Sequence, residues 1–210
     1  MTELQYDILQ NITDFMEKSG GMTGGHMKRT GKFIEIFLDL LKRVDLYPKA
    51  SLGWDKDSFI RSARLHDLGK ISIKDSILYK PGKLTNAEFE EMKAHTLWGL
   101  EIIEELQKES SSVFLRYAKI LIGTHHEWWN GSGYPSGLKG RQIPLQGRIM
   151  AVVDVYDALI SERPYKKPFS HNEAVKLIQK GRGSHFDPVL VDLFIAGSDR
   201  FAKAAYESIR

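Results

Sequence analysis

Apolar residues recur at α-helical spacing along nearly the whole chain, and this periodicity limits the fold to a mostly α-helical one. The first two such stretches carry Leu4, Ile8, Ile12 and Phe15, and then Phe33, Ile36, Phe37, Leu40, Leu41 and Val44. Further amphipathic helices are predicted over 57–66, 113–127 and 147–160. A helix of about 20 residues is predicted from Thr85, which, like Ser170, stands three residues before a glutamate as in a capping box. We therefore expect an all-α fold.

One long stretch does not fit this periodicity. Residues 130–144 carry Gly131, Gly133, Gly137, Gly140 and Pro135. Turn formers at this density interrupt helices, and a long loop in a compact domain is commonly functional. Residues 1–19 are predicted to form a connector helix, because Gly20-Gly21 interrupts the first helical pattern, and residues 20–210 are predicted to form one domain. The connector suggests an upstream sensory or receiver domain, in the same chain or in a partner.

Composition excludes several classes of protein. The chain has no cysteine, which excludes disulfides, a thiolate zinc site and a cysteine nucleophile. The net charge is +3, from 30 basic and 27 acidic residues, which is too small an excess to predict a nucleic-acid partner. No apolar run reaches the roughly 18 residues of a membrane helix, so the sequence predicts no membrane span and a cytoplasmic location.

Histidine and aspartate residues recur at intervals close to one helix and its turn, so a helical bundle can bring them to a common centre. They are His66-Asp67, His95, His125-His126 and Asp154. With no cysteine available, imidazole and carboxylate ligands favour iron, manganese or zinc. A single histidine of this kind is more typical of a structural hydrogen-bonding role. The adjacent pairs favour two metal ions, because His125 and His126 point in different directions on a helix and Asp67 can offer one oxygen to each of two cations.

Two sequence motifs resemble those of a known family. Residues 66–70 (HDLGK) resemble the HD signature with its Gly-Lys extension, and residues 125–135 (HHEWWNGSGYP) resemble the GYP signature of HD-GYP phosphodiesterases. The resemblance continues in the family's order through residues 80–85, 154–159 and 163–166, and ends near 186–188. It implies an all-α, HD-domain helical bundle with a Gly/Pro-rich GYP loop, which we define as residues 130–144.

The resemblance also implies hydrolysis of cyclic di-GMP, a bacterial second messenger, to pGpG and/or GMP by a metal-bound hydroxide. The positions that match the family's metal ligands are His26, His66, Asp67, His95, His125, His126 and Asp154. Asp67 and Lys70 match its catalytic residues, and Lys70 is also expected to approach the scissile phosphate. Tyr134 is expected to contact the guanine or its phosphate, and Arg163 and Lys166 are expected to bind phosphate.

One departure from the family pattern concerns the number of metal ions. Members with three metals carry a glutamate four residues before the first ligand histidine, where this chain has Met22. Because a thioether cannot replace a hard anionic ligand, we expect two divalent metal ions, iron or manganese. Asp157 is expected to support a ligand or to cap a helix, and His171 and His185 are expected to be structural.

Three other functions are compatible with parts of the sequence. An HD-GYP enzyme for another cyclic dinucleotide, such as 3′,3′-cGAMP, is not excluded by any residue. The GYP loop argues against an HD-superfamily enzyme acting on mononucleotides. The third is a non-catalytic module that binds a cyclic dinucleotide, and the complete HD and HH pairs argue against it. A homodimer is compatible with all of these functions.

Overall fold

The computed structural model describes residues 6–9, 11–12, 15, 25–43, 53–162 and 167–207. Within these ranges the regular structure is helical apart from one isolated bridge, so the predicted all-α class is confirmed. The ten named helices of the described ranges are α1 (His26–Arg43), α2 (Lys56–Ser62), α3 (Asp75–Leu78), α4 (Asn86–Lys93), α5 (His95–Glu109), α6 (Val113–Thr124), α7 (Leu145–Ile160), α8 (His171–Lys180), α9 (Pro188–Ala196) and α10 (Ser198–Glu207). Short 3-10 turns lie at Ala63–Leu65, Leu68–Ser72 and Gly140–Gln142.

Both predicted capping boxes are confirmed. The Thr85 hydroxyl accepts a hydrogen bond from the Glu88 N–H at 3.3 Å, and the Glu88 carboxylate accepts one from the Thr85 N–H at 2.7 Å. Ser170 and Glu173 make the same pair of bonds, at 3.4 and 2.8 Å, before α8. Each box satisfies two backbone donors that a helix start otherwise leaves unpaired.

The single helix predicted from Thr85 is wrong, because two helices, α4 and α5, occupy this stretch with a break at Ala94. The Ala94 N–H donates to the Glu91 carbonyl at 3.1 Å, which is the spacing of a 3-10 turn. Side chains take the next carbonyls: His95 Nδ1 lies 2.8 Å from the Met92 oxygen, and Thr96 donates to the Lys93 oxygen at 2.9 Å. The break places His95 at the start of α5.

Two other predicted helices end earlier than expected. The helix predicted over 57–66 continues as an α-helix only to Ser62 and then tightens into the 3-10 turn 63–65. The helix predicted over 113–127 ends at Thr124. Consequently, His66 and His125 each lie directly after a helical segment rather than inside it.

Two buried apolar clusters hold the helices together. In the larger cluster, aromatic rings of α1, α7, α9 and α10 pack edge to face, with centroids 5.1 Å apart for Phe37–Phe201 and for Tyr156–Phe194. The smaller cluster joins residues 63–72, which we call the HD turn, to α5 and α6. It includes Tyr6, whose ring lies 5.1 Å from that of Phe114. Tyr6, within the predicted connector, therefore packs on the domain. Among the described residues, no helix is long and apolar enough to cross a membrane.

Two glycines allow close approach between segments that carry candidate ligands. A Cβ atom at Gly69 would lie 1.8 Å from the backbone oxygen of His95, and one at Gly147 would lie 2.1 Å from the Thr124 hydroxyl. Because a side chain cannot be accommodated at such distances, only glycine lets the HD turn rest on the start of α5 and lets α7 rest on the end of α6.

Candidate metal centre

The structure brings all seven predicted ligands together. His26 begins α1, His66 and Asp67 lie between two 3-10 turns, His95 begins α5, His125 and His126 follow α6, and Asp154 lies within α7. Their ligand atoms form two compact groups. Helix ends supply most of the ligands, so the packing of the helices fixes the position of each ring.

The first ligand group consists of Asp67, His95, His125 and His126, whose ligand atoms all lie within 4.8 Å of one another. Asp67 Oδ1 is 3.4 Å from His95 Nε2 and 3.8 Å from His125 Nε2, and the two histidine nitrogens are 3.4 Å apart. Ligands about 2.0–2.2 Å from one cation lie about 3–4 Å from each other. The first ligand group therefore has the dimensions of a coordination sphere.

The second ligand group consists of His26, His66 and Asp154. Asp154 Oδ1 is 3.8 Å from His26 Nε2 and 3.7 Å from His66 Nε2. The two imidazole rings meet edge to face with centroids 5.4 Å apart, so both Nε2 atoms face the same carboxylate oxygen. These distances are also within the range for ligands of one cation.

Asp67 connects the two ligand groups. Its Oδ2 lies 3.3 Å from His66 Nε2, in the second group, while its Oδ1 lies next to His95 in the first. His66 Nε2 and Asp67 Oδ1 are both buried and have no hydrogen-bond partner among the described residues. Unpaired buried polar atoms are uncommon and call for an explanation such as a bound ion. The donor set, the spacing and these two atoms together fit metal binding.

Backbone carbonyls orient three of the rings. Nδ1 of His66, His95 and His125 lies 2.8–2.9 Å from the carbonyl oxygens of Ala63, Met92 and Leu121, respectively. A carbonyl oxygen only accepts, so each Nδ1 must carry the proton, and each Nε2 is left with the lone pair that a metal needs. Each carbonyl belongs to a residue three or four positions earlier, so the anchoring is local.

A carboxylate orients His26 instead. Asp157 Oδ2 lies 2.6 Å from His26 Nδ1, and Arg29 donates from Nε to Asp157 Oδ1 at 2.5 Å. Arg29 also donates to the Ser161 hydroxyl at 2.7 Å. A carboxylate on the outer nitrogen raises the basicity of a ligand histidine. These contacts agree with the supporting role expected for Asp157, which belongs to neither ligand group.

In the absence of a metal ion, the pKa values of His125 in the first ligand group and His66 in the second are shifted in opposite directions. Burial lowers the pKa of His125 to about 3 and also lowers the pKa of His95. Burial opposes protonation of His66 too, but the negative charges of Asp67 and Asp154 outweigh it and raise its pKa to about 9. The first group thus presents neutral imidazoles, the form that binds metals, while a cation bound in the second group would take the place of a proton.

Lys70 lies beside the shared aspartate. Its Nζ donates to Asp67 Oδ2 at 2.5 Å, and its side chain is partly exposed. Although burial raises the pKa of Asp67, the charges of Lys70 and His66 hold it well below its usual value. Asp67 is therefore an anion in the folded protein, and Lys70 supplies a positive charge next to the ligand groups.

The GYP loop folds back over the His125-His126 segment. The Tyr134 N–H donates to the His126 carbonyl at 3.1 Å, and the Tyr134 ring lies 4.7 Å from the His126 ring. A Cβ atom at Gly133 would be 2.2 Å from the Trp128 nitrogen, so the two backbones are in direct contact. Burial raises the pKa of Tyr134, which keeps its hydroxyl protonated. Tyr134 thus lies beside the first ligand group, and its role as a substrate contact stays a prediction.

Three predicted positions lie outside the described residues: Met22, Arg163 and Lys166. The two histidines that were expected to be structural pair with other side chains. His171 Nδ1 pairs with the Tyr156 hydroxyl at 2.8 Å, and the His185 ring stacks on Trp128 at 4.2 Å. Neither belongs to a ligand group.

Sequence reasoning missed two buried charged residues near the ligands. Arg29 lies one helical turn after His26, and that spacing was the available signal. Glu127 follows the His125-His126 pair directly, and its position within the motif was the signal. Their partners are distant in sequence, so their roles become apparent only in the folded chain.

An all-α domain that gathers two histidine and aspartate groups around one shared carboxylate has the ligand arrangement of a metal-binding domain. The chain belongs to the HD-domain family, whose pattern matches residues 27–190. It is 41% identical over 207 residues to a protein of Vibrio cholerae named "Probable cyclic di-GMP phosphodiesterase", covering 98% of this chain and 47% of that protein. The resemblance to HD-GYP phosphodiesterases is confirmed.

Two further relatives come from the same organism. The "3'3'-cGAMP-specific phosphodiesterase 2" is 35% identical over 96% of this chain and 36% of that protein. The crystal structure of a cyclic GMP-AMP specific phosphodiesterase superposes with a TM-score of 0.60 over 98% of this chain and 53% of that one, at 18% identity. The last likeness concerns the fold alone and agrees with the predicted HD-domain bundle. The chain spans about half or less of the length of these relatives.

Proposed function

We propose that this chain hydrolyses cyclic di-GMP to pGpG and/or GMP. The observation that carries the proposal is the pair of ligand groups joined through Asp67, in which Asp67 Oδ1 and His66 Nε2 are buried and have no hydrogen-bond partner in the described part of the chain. The 41% identity to a probable cyclic di-GMP phosphodiesterase over nearly the whole chain supports this substrate.

The proposed cofactors are two divalent metal ions, iron or manganese. One would be held by His26, His66 and Asp154, the other by His95, His125 and His126, with Asp67 offering one oxygen to each. Such ions would supply positive charge for the phosphate and activate a water molecule as the nucleophile. Met22, at the position where members with three metals carry glutamate, supports a count of two.

The remaining residues would bind and orient the substrate. Lys70 would donate to a phosphate oxygen as negative charge develops, because its ammonium already lies beside Asp67. Tyr134 would contact the guanine or its phosphate from the position it holds against His126. Arg163 and Lys166 are proposed to bind phosphate on the strength of the sequence motif.

A second candidate substrate is 3′,3′-cGAMP. It is favoured by the relative that is named for that specificity and is 35% identical over 96% of this chain. A non-catalytic binding module is the third possibility, and the complete set of ligand residues argues against it. A cytoplasmic location, an upstream sensory or receiver domain and a homodimer stay predictions from the sequence.

Chromatography of the products tests this proposal. Protein prepared without oxygen and loaded with iron(II) or manganese(II) is incubated in parallel with cyclic di-GMP and with 3′,3′-cGAMP. We expect faster conversion of cyclic di-GMP, loss of conversion in Asp67→Asn, and wild-type rates in the matched control Asp57→Asn, which changes an exposed carboxylate on α2. Faster conversion of 3′,3′-cGAMP would transfer the proposal to that substrate. No conversion of either by metal-loaded protein would refute an enzymatic role.

A further inference from the structure

Glu127 is a buried carboxylate that neither ligand group uses. It is 1% exposed and follows the His125-His126 pair directly. Burying a carboxylate is costly unless strong hydrogen bonds compensate for the lost water. Within the described part of the chain, no lysine, arginine or histidine forms an ion pair with Glu127. Other hydrogen bonds of the Glu127 carboxylate must therefore compensate for its burial.

The Glu127 carboxylate binds the far side of the GYP loop. Oε1 accepts a hydrogen bond from the Ser136 N–H at 2.7 Å, and Oε2 accepts one from the Leu138 N–H at 3.0 Å. Each oxygen thus holds a different amide, nine and eleven residues along the chain. Hydrogen bonds from amides to an ionised carboxylate are stronger than neutral ones. Together they fix two points of the loop to the residue that follows the histidine pair.

Tyr134 lies between two such attachments. On one side, its own N–H donates to the His126 carbonyl at 3.1 Å. On the other side, Ser136 and Leu138 are held by Glu127. Gly133 is in direct contact with the backbone of residues 126–128, so the loop cannot move any closer to this segment. The carboxylate of Glu127 therefore limits how far Tyr134 can move away from His126.

We propose that Glu127 is a positioning residue for substrate binding, which acts by holding Tyr134 against His126 through the amides of Ser136 and Leu138. The proposal rests on the proposed function, because the role of Tyr134 as a substrate contact belongs to it. Glu127 contributes no ligand atom to either group, so the metal content of the protein should not depend on it.

The variant Glu127→Gln tests the contact itself without any assay of activity. A glutamine side chain has the same shape, but one of its two ends is an NH2 group, which cannot accept from an amide. We expect hydrogen exchange of peptides covering 134–139 to accelerate about tenfold, with unchanged exchange in α6. The matched control is Glu101→Gln on the exposed face of α5, which should change neither. Unchanged exchange at 134–139, or acceleration throughout the chain, would overturn the proposal.

Kinetics test whether Glu127 acts through Tyr134. In Glu127→Gln we expect KM for cyclic di-GMP to rise about tenfold, with kcat and bound metal within about twofold of wild type. Adding Glu127→Gln to Tyr134→Ala should then cost nothing further, since the residue being positioned is already gone. Additive losses in the double variant, or a lower metal content in Glu127→Gln, would overturn the proposal.

Failure of the proposed function and misfolding of a variant can each be distinguished from failure of the role proposed for Glu127. If wild-type protein hydrolyses no cyclic dinucleotide, the proposed function fails, and the exchange experiment still decides whether Glu127 holds the loop. If Glu127→Gln does not fold, Glu127→Asp replaces it, because the shorter carboxylate keeps its charge but cannot reach both amides. In Glu127→Asp, exchange at 134–139 identical to wild type would overturn the proposal.

Discussion

The ligand groups and the GYP loop lie side by side but are held in place in different ways. His66, His95 and His125 are each oriented by a carbonyl three or four residues earlier in the chain. The loop also relies on distant partners: the N–H groups of Asn130, its first residue, and of Trp129, directly before it, donate to the carbonyls of Ser184 and His185, respectively, at 2.9 Å. Carbonyls close in sequence orient three of the candidate ligands, whereas the start of the loop is held by residues far along the chain.

The loop also depends on buried charges. Arg148 of α7 pairs with Asp187 at 2.7 Å, and Asp187 in turn caps α9 through the Val189 N–H at 2.9 Å. Arg148 Nε donates to the carbonyl of Ile143, within the loop, at 2.9 Å, and its guanidinium lies 5.9 Å from the ring of Trp129, the residue before the loop. An irregular segment makes few helical hydrogen bonds of its own, so other elements must satisfy much of its backbone. We therefore expect damage to the loop and damage to the ligand groups to have separate consequences.

The largest effect is expected for Asp67→Asn, because Asp67 serves both ligand groups. An amide keeps the shape but removes the charge that two cations would share. We expect loss of bound metal and a fall in kcat/KM on the order of 10³-fold or more, since metal ions contribute several kcal/mol to such reactions. Elemental analysis and product chromatography measure both quantities. Hydrogen exchange of the loop peptide 134–139 should stay as in wild type. Faster exchange there after metal loss would contradict the expectation that the loop and the ligand groups fail separately.

A large effect on folding is expected for Gly69→Ala. The new Cβ would meet the His95 backbone oxygen at 1.8 Å, so the HD turn must move away from α5, at a cost of about 1–3 kcal/mol or more. Gly123→Ala is the matched control, because its Cβ meets only the Leu100 side chain at 3.3 Å and alanine favours the helix. Urea denaturation compares the two. Equal stabilities would mean that the glycine contact does not hold the ligands in place.

A selective effect is expected for Asp157→Asn, since His26 is the ligand oriented by a carboxylate rather than by a local carbonyl. Loss of such a supporting group typically lowers metal affinity about 10- to 100-fold. We expect this decrease in metal affinity at only one of the two proposed metal sites, and competitive titration with a chelator measures the affinity of each. Asp192→Asn, which breaks the exposed pair with Arg182, should leave both affinities unchanged. Equal weakening of both sites would show that the two ligand groups are not independent.

A loop-specific effect is expected for Gly133→Ala. Its Cβ would lie 2.2 Å from the Trp128 nitrogen, so the loop must lift from the His125-His126 segment. We expect KM to rise about tenfold while bound metal stays at the wild-type level. Ser136→Ala is the control, because it keeps the backbone donor that Glu127 binds. If Gly133→Ala also loses metal, the loop and the ligand groups do not fail separately.

The same distinction between local and distant anchors explains what the sequence could predict. The grouping of the seven candidate ligands was predictable because helical spacing and the resemblance to the family placed them, and short-range bonds to carbonyls orient three of the rings. The break at Ala94 was not predictable from the sequence. It depends on the side chains of His95 and Thr96, which bind carbonyl oxygens that would accept backbone hydrogen bonds in a continuous helix. Arg29 and Glu127 were not predicted either, since their partners lie 128 and about ten residues away.

The smallest effect is expected where the loop meets residues 181–187. His185 stacks between Trp128 and Phe186, at 4.2 and 4.0 Å, and burial lowers its pKa to about 4. The unfolded chain has the ordinary histidine pKa near 6.5, so it takes up a proton first as the pH falls. The contribution of His185 to stability is therefore complete above pH 6.5 and is lost as the pH falls toward 4.

The variant His185→Phe keeps the stack and removes this titration. The melting temperature of the variant minus that of wild type should increase by about 3 °C as the pH is lowered from 7 to 4.5, because only wild type loses stability when His185 is protonated. This increase corresponds to about 1 kcal/mol, a reduced value because part of the ring is exposed to solvent. Thermal denaturation of both proteins, each treated with chelator to exclude metal loss, measures the difference. A constant difference across this range would mean that His185 titrates normally in the folded protein. In that case its ring would be accessible to water, and the loop would be less firmly packed on residues 181–187 than its hydrogen bonds indicate.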